Sequence, residues 1–350
     1  MKYLVKLVVV TFAAVLSLGA ISTASADKLK VGFIYIGPPG DHGWTYAHDQ
    51  GRLTVEDQLG DRVETTFVEG VPEGPDAERA IAKLAETGHK LIFTTSFGYM
   101  EPTLKVAKRF PDVKFEHATG YKQADNVATY SARFYEGRYV QGQIAAKISK
   151  SGIIGYIASF PIPEVVRGIN AFMLGAQSIN SDMKVKVVWA YTWFDPPKEA
   201  DAAKVLMDQG ADIITQHTDS TAAIQAAADR GIKAFGQASD MIHFAPKTQL
   251  TAIIDEWGPY YVARTQAVLD GTWTSGDTWH GMGPGMVVMA PFTNMPESVR
   301  QMAIETTAAL TSGKLHAFTG PIYNQAGELV VEAGEVAPDF PMLATMNFYV

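Results

Sequence analysis

From residue 29 onward, short apolar runs alternate with stretches whose apolar residues recur at helical spacing. Residues 29–36 (LKVGFIYI) read as a buried strand, broken by Gly37-Pro38-Pro39-Gly40, and a helix fits 43–59. Strands at 63–68 and 91–95 bracket 76–87, where Ala77, Ala80, Ile81 and Leu84 share one helical face. A helix over 101–110 and strands over 113–118 and 127–131 complete this series. Strands separated by helices at this rhythm predict βαβ units, a mostly parallel sheet and right-handed crossovers.

The rhythm then restarts. A helix is expected over 136–150, with Gly137, Gly142, Ala145 and Ala146 suited to close packing. Strand and helix alternate through 153–159, 164–179, 185–191, 198–209, 213–216, 221–230 and 233–236, followed by a strand at 250–254. The result is two successive α/β lobes of similar element order. A helix over 258–269 is expected to cross back to the first lobe, which would comprise 27–131 with about 255–280, leaving 132–254 as the second. A helix at 296–312 and a hairpin-like end, 322–323 against 328–331, lie in a C-terminal segment, 281–350, that the pattern assigns to neither lobe.

The first residues add a location. Lys2 and Lys6 precede an apolar run over 7–20, and 22–26 reads STASA, with Ala24 and Ala26 placed for signal peptidase. A cleaved signal peptide, residues 1–26, and a periplasmic protein are expected; the run is short for a membrane anchor, which needs about 20 residues. With no cysteine, lipid attachment at the cleavage site, disulfides, thiolate metal sites and cysteine nucleophiles are excluded. Loss of Lys2 and Lys6 would take the formal charge from −8 to −10, spread along the chain, which argues against nucleic acid or an anionic membrane as a partner. About 320 residues beyond Ala26 exceed one ordinary core, in keeping with two domains.

In open parallel sheets, ligands sit beyond the carboxyl ends of the strands. The loops there hold Trp44, Phe97, Tyr99, Trp193 and Phe194, with Trp257 after another strand. Aromatics on opposing lobes can clamp a flat ring. Beside them stand Asp41, His42, Ser96, Asp195, His217, Asp219, Ser239 and Asp240, whose polar groups suit the N–H groups of a base or the hydroxyls of a sugar. Asp41 and Asp195 are equally placed to cap the helices that follow them, and Asp240 is also open to a turn role. The loops carry no G-K-[ST] phosphate loop, no G-x-S-x-G elbow and no histidine cluster of metal spacing. No cofactor is expected.

Several segments together resemble the basic membrane protein family of ABC-transporter substrate-binding proteins, the group of purine nucleoside receptors. They are 40–46 (GDHGWTY), 130–143 (YSARFYEGRYVQGQ), 155–163 (GYIASFPIP), 193–196 (WFDP) and 208–213 (DQGADI). The resemblance spans nearly all of the chain after the signal segment. It implies a type I periplasmic binding protein architecture, two Rossmann-like lobes with a hinge, and a non-catalytic role. It places Trp44 and Trp193 at the two positions that sandwich the purine, both phenylalanine in typical members, and Phe97 and Asp240 on binding loops.

There are departures. Typical members have a ribose-binding lysine where this chain reads Asp255-Glu256-Trp257; Thr45 replaces an asparagine, and 217–220 (HTDS) a glycine-rich turn. The expectation is a purine, the free base such as adenine ahead of the nucleoside, held by Trp44, Ser96, Phe97, Tyr99, Trp193, His217, Asp219 and Asp240. The partners would be that ligand and an inner-membrane ABC permease, and the protein would be a monomer. Alternatives are a sugar-binding periplasmic protein and a nucleoside hydrolase using His217 and Asp219 as acid and base.

Overall fold

The computed structural model describes residues 27–350; the expected signal segment, 1–26, lies outside the described residues. The first sheet takes β1 (Leu29–Ile34), β2 (Val63–Val68), β3 (Leu91–Thr94), β4 (Lys114–Ala118) and β5 (Val127–Ala132). Between them run α1 (Trp44–Leu59), α2 (Pro75–Glu86) and α3 (Met100–Arg109). The second lobe follows with α4 (Phe134–Ile148), β6 (Ile153–Ala158), α5 (Pro163–Gln177), β7 (Lys184–Trp189), α6 (Pro196–Asp208), β8 (Ile213–Gln216), α7 (Ala222–Asp229), β9 (Lys233–Gly236) and β10 (Gln249–Asp255). Then α8 (Gly258–Leu269) and β11 (Asp277–His280) return to the first lobe, and β12 (Val287–Met289) and α9 (Glu297–Thr311) to the second.

The sheets are ordered β2-β1-β3-β4-β5-β11 and β7-β6-β8-β9-β10-β12. All pairings within them are parallel except β10 with β12. The near-continuous apolar runs of β1, β3 and β6 follow from this, because helices cover both faces of such sheets. In each sheet the order reverses next to the first strand of its lobe, at β1/β3 and at β6/β8, and that switch point opens a crevice at the carboxyl ends.

Chain passes between the sheets occur after Ala132, after Asp255 and after His280. They are cross-tied: the Arg133 amide donates to the His280 carbonyl at 2.7 Å, that of Glu256 to Met286 at 3.0 Å, and that of Met282 to the Glu136 carboxylate at 2.7 Å. Small residues bring the flanking helices together. A Cβ on Gly142 would lie 2.0 Å from the Phe172 carbonyl, and one on Gly175 2.1 Å from that of Tyr139, so α4 and α5 pack backbone to backbone. Gly51 makes room for Tyr261, which seats α8 against α1 in the first lobe.

The end of the chain is a strap over the second lobe. A hairpin of β13 (Ile322–Tyr323) and β14 (Leu329–Val331) and the residues up to Val350 pack with Tyr135 and Val166 of α4 and α5. Arg133 forms a two-pronged bond to Asp339, 2.6 Å on each arm, and Arg167 donates to the Leu343 carbonyl at 2.6 Å. The guanidinium groups of Arg133 and Arg167 lie 4.9 and 4.7 Å from the Trp279 ring. Among the described residues, no helix is long and apolar enough to cross a membrane.

Candidate functional site

The loop after β1 is organised by Asp41. Its Oδ1 accepts the amides of Gly43 (2.8 Å) and Tyr46 (2.9 Å), and its Oδ2 that of Thr45 (3.0 Å). These are the unsatisfied amides of a helix start, so the capping role of Asp41 is the one realised. The cap makes Trp44 the first residue of α1. The indole is held edge-on by His48 (4.4 Å), Trp257 (5.6 Å) and Phe134 (5.9 Å), and its Nε1–H donates to the Thr95 carbonyl at 2.5 Å. After β3, Ser96 Oγ donates to Glu73 at 2.6 Å and Phe97 follows at the crevice.

The second lobe answers from the ends of β6, β7, β8 and β9. Trp193 lies 5.1 Å from the Phe160 ring, and its carbonyl accepts the Asp219 amide at 3.0 Å, tying two loops together. His217 Nε2 is 3.3 Å from the Glu164 carboxylate, with Glu164 in the first turn of α5. Gln237 is bonded through its carbonyl to the fully buried Arg138, which also donates to Gln141 and Thr215.

Between the switch points lies a slot of about 370 Å³, lined by Ile36, Trp44, Ser96, Phe97 and Thr119 of the first lobe and Ile162, Glu164, Trp193, His217, Asp219 and Gln237 of the second. Only about 20 Å³ of it is open to the centre of a water molecule, so the slot is narrow and a ligand reaches it when the lobes part. The lobes are closed on one another. Gly43 sits so tightly on Asp219 that a Cβ there would lie 2.3 Å from the Asp219 carbonyl, and Ser239 Oγ donates to the His42 carbonyl. A wider cavity of about 1280 Å³ adjoins the slot, sharing Phe97, Thr119 and Glu164; its far wall carries Arg133, Arg167, Trp279 and the strap residues Asp339 and Phe340.

The slot is electrostatically unusual. Asp219 is 3% exposed, and burial pushes its carboxyl well above the usual carboxylate range, with Asp41, Glu199 and Asp255 adding repulsion. Its Oδ2 has no partner, nor does Trp193 Nε1. Burial also pushes Asp41 up to about 6, against the pull of its three amides, and pushes the His217 imidazole down, which keeps it neutral near pH 7.

Of the expected contact residues, the slot gathers Trp44, Ser96, Phe97, Trp193, His217 and Asp219. Two of the expected residues, Tyr99 and Asp240, do not line the slot. Tyr99 is fully buried in the first lobe's core and its hydroxyl donates to the Val71 carbonyl, because the single turn after β3 carries it to the side away from Phe97. Asp240 is exposed, accepting from the Ile242 amide at 3.1 Å and Gln249 Nε2 at 2.6 Å; Ala238, at φ 60°, turns the chain away from the slot, and Asp240 is a turn residue on an outer groove. The His217–Asp219 pair does not form a dyad either, since His217 is turned to Glu164. Asp195 accepts the Lys198 amide and caps α6. Sequence reasoning missed Ile36, Thr119, Ile162, Glu164 and Gln237. Each stands at a strand's carboxyl end or in the next turn, but apolar Ile36 and Ile162, helix-start Glu164 and the single polar residues Thr119 and Gln237 carried no signal that set them apart from their neighbours.

Comparison with known proteins gives a consistent picture. The sequence model described as ABC transporter substrate-binding protein PnrA-like matches residues 28–312. A purine-binding protein of Brucella abortus is 70% identical over 324 residues, covering 93% of this chain and 92% of that one. A putative ABC transporter glucose-binding protein of Haloferax volcanii is 37% identical, covering 86% and 76%. Among solved structures, a solute-binding protein of an Aeropyrum pernix ABC transporter system superposes with a TM-score of 0.71 at 20% identity, covering 82% of this chain and 92% of that one. Its counterpart from Conexibacter woesei gives 0.64 at 22%, covering 82% and 98%. The architecture is that of type I periplasmic binding proteins.

Proposed function

The chain belongs to the PnrA-like family of ABC-transporter substrate-binding proteins, and from that premise we propose that it captures a purine between its lobes, the free base such as adenine ahead of the nucleoside. Members of this class work in the periplasm or outside the cell and hand a small molecule to a permease. We place this one in the periplasm as a monomer, one pair of lobes enclosing one ligand for an inner-membrane permease.

The observation that carries the purine reading is the slot itself. Trp44 and Phe97 flank it from one lobe and Trp193 from the other, while Asp219 Oδ2 and Trp193 Nε1 stand without protein partners among apolar walls. Flat apolar faces with a few convergent polar groups suit a planar heterocycle. The name of the Brucella relative agrees. Two features favour the free base: the slot is narrow, and residues 255–257 carry no cation to hold a ribose. The Haloferax relative keeps a sugar as the second reading. A hydrolase reading has no support from His217, which is paired with Glu164 rather than Asp219.

Mass spectrometry of small molecules released from the purified protein tests the proposal. Adenine or another free purine is expected. A sugar as the sole released species would move the assignment to the second reading, and conversion of inosine on incubation would argue for an enzyme.

A further inference from the structure

Asp219 is a slot-lining carboxylate with a buried oxygen, Oδ2, that has no partner. It is buried, and the charges bearing on it most strongly are other buried carboxylates: Asp41 on the β1–α1 loop, Glu199 on α6 and Asp255 at the end of β10. His217, on the same loop, is neutral and turned to Glu164, while Arg138 bears on Asp255. The amino end of α1 would ordinarily favour an anion. That end is already occupied, however, because Asp41 accepts the amides of Gly43, Thr45 and Tyr46.

The arrangement exists only when the lobes are shut. Asp41 and Gly43 belong to the first lobe and Asp219 to the second, and Gly43 lies directly on the Asp219 backbone. Opening returns Asp219 to water and separates it from Asp41. Closure therefore presses two carboxylates together and removes water from both, and like charges so placed do not both stay ionised.

We propose that Asp219 stands in the closed slot as a neutral carboxylic acid, so that closure takes up a proton and the ligand meets a hydroxyl donor beside a carbonyl acceptor. Such a pair matches a neutral heterocycle with a ring nitrogen next to an N–H group, and it discriminates against ligands that offer only donors or a fixed positive charge. The sign of the pH dependence follows. The acid is easier to protonate in the closed form than in the open one, so closure is favoured at low pH. Affinity then weakens as the pH rises above the open-form value, by up to about tenfold per pH unit for one proton. Asparagine has the same donor and acceptor and no proton to exchange.

The test has a ligand arm and a ligand-free arm. Calorimetry with adenine at pH 7, in buffers of different ionisation enthalpy, should show net proton uptake by the natural protein. Asp219→Asn should take up one proton fewer, and the affinity it retains should depend less steeply on pH between 5 and 8, the remaining slope coming from Asp41. Asp255→Asn should keep the Asp219-dependent uptake. Equal uptake in the natural protein and Asp219→Asn overturns the proposal. For the ligand-free arm, the cysteine-free chain allows the lobes to be crosslinked shut through His42→Cys and Ser239→Cys. The Asp219 carboxyl carbon, assigned in the NMR spectrum by its loss in Asp219→Asn, should then titrate well above the usual carboxylate range. Titration within that range in the crosslinked form also overturns the proposal. Failure of adenine to bind at any pH counts against the purine reading alone, because the crosslinked form needs no ligand.

Discussion

Gly43→Ala isolates closure from ligand contact. A methyl group at this position would lie 2.3 Å from the Asp219 carbonyl oxygen, 2.7 Å from its Cα and 2.8 Å from its Cβ. Ordinary carbon–oxygen contact is about 3.3 Å, so the shut lobes would have to separate by about 1 Å along this direction. Backbone yields little: the Asp219 amide is bonded to the Trp193 carbonyl, and Gly43 is held by Asp41. Opening the cleft removes the clash completely. The cost should therefore fall on the closed form, at the ~1–3 kcal/mol typical of forced overpacking. That corresponds to affinity weakened by roughly 5- to 150-fold. Titration calorimetry with adenine reads the loss. Thermal unfolding without ligand should change little, and small-angle scattering of the saturated variant should show a larger radius of gyration than the natural protein. Unchanged affinity would refute the claim that closure at Gly43 and Asp219 accompanies binding.

Trp44→Ala should weaken base binding by on the order of 1–3 kcal/mol, a stacking magnitude taken from nucleic-acid recognition, with Trp44→Phe losing less; equal affinity for all three removes Trp44 from the site. Tyr99→Phe removes one buried bond, to Val71, and should cost about 1 kcal/mol in denaturant unfolding with no change in adenine affinity. Asp240→Asn should leave affinity unchanged, and a clear loss in calorimetry would return Asp240 to the site. Arg133 holds the Asp339 carboxyl below its ordinary range. Its contribution is thus present above about pH 4 and lost as the pH falls through the folded-state value. Asp339→Asn should accordingly lower stability at neutral pH and leave the acid limb unchanged, read from Trp279-sensitive fluorescence.

The fold was legible because its strands lie between helical layers and must be apolar along their whole length, as β1, β3 and β6 are, while the helices between them carry one apolar stripe. β11 was not anticipated: Asp277–His280 is a polar edge strand, recognisable only by its partner β5. In the site, Trp44 and Trp193 stood out because large rings in strand-end loops have no core to enter. Tyr99 had the same signal, but one more residue of turn leads it into the core of the first lobe. Glu164 is the opposite case. A glutamate in the first turn of a helix after proline is ordinary, and only the folded chain brings it to His217. The burial of Asp219 and Asp255 was equally invisible, because it arises where two lobes meet rather than along either one.

The central claim, capture of a free purine base in the slot between Trp44 and Trp193, is tested most directly by calorimetry. The purified protein should be titrated with adenine, hypoxanthine, adenosine and guanosine in turn. The account predicts one-to-one binding of a free base, with adenine bound more tightly than either nucleoside. Nanomolar guanosine binding with no detectable adenine binding would contradict it.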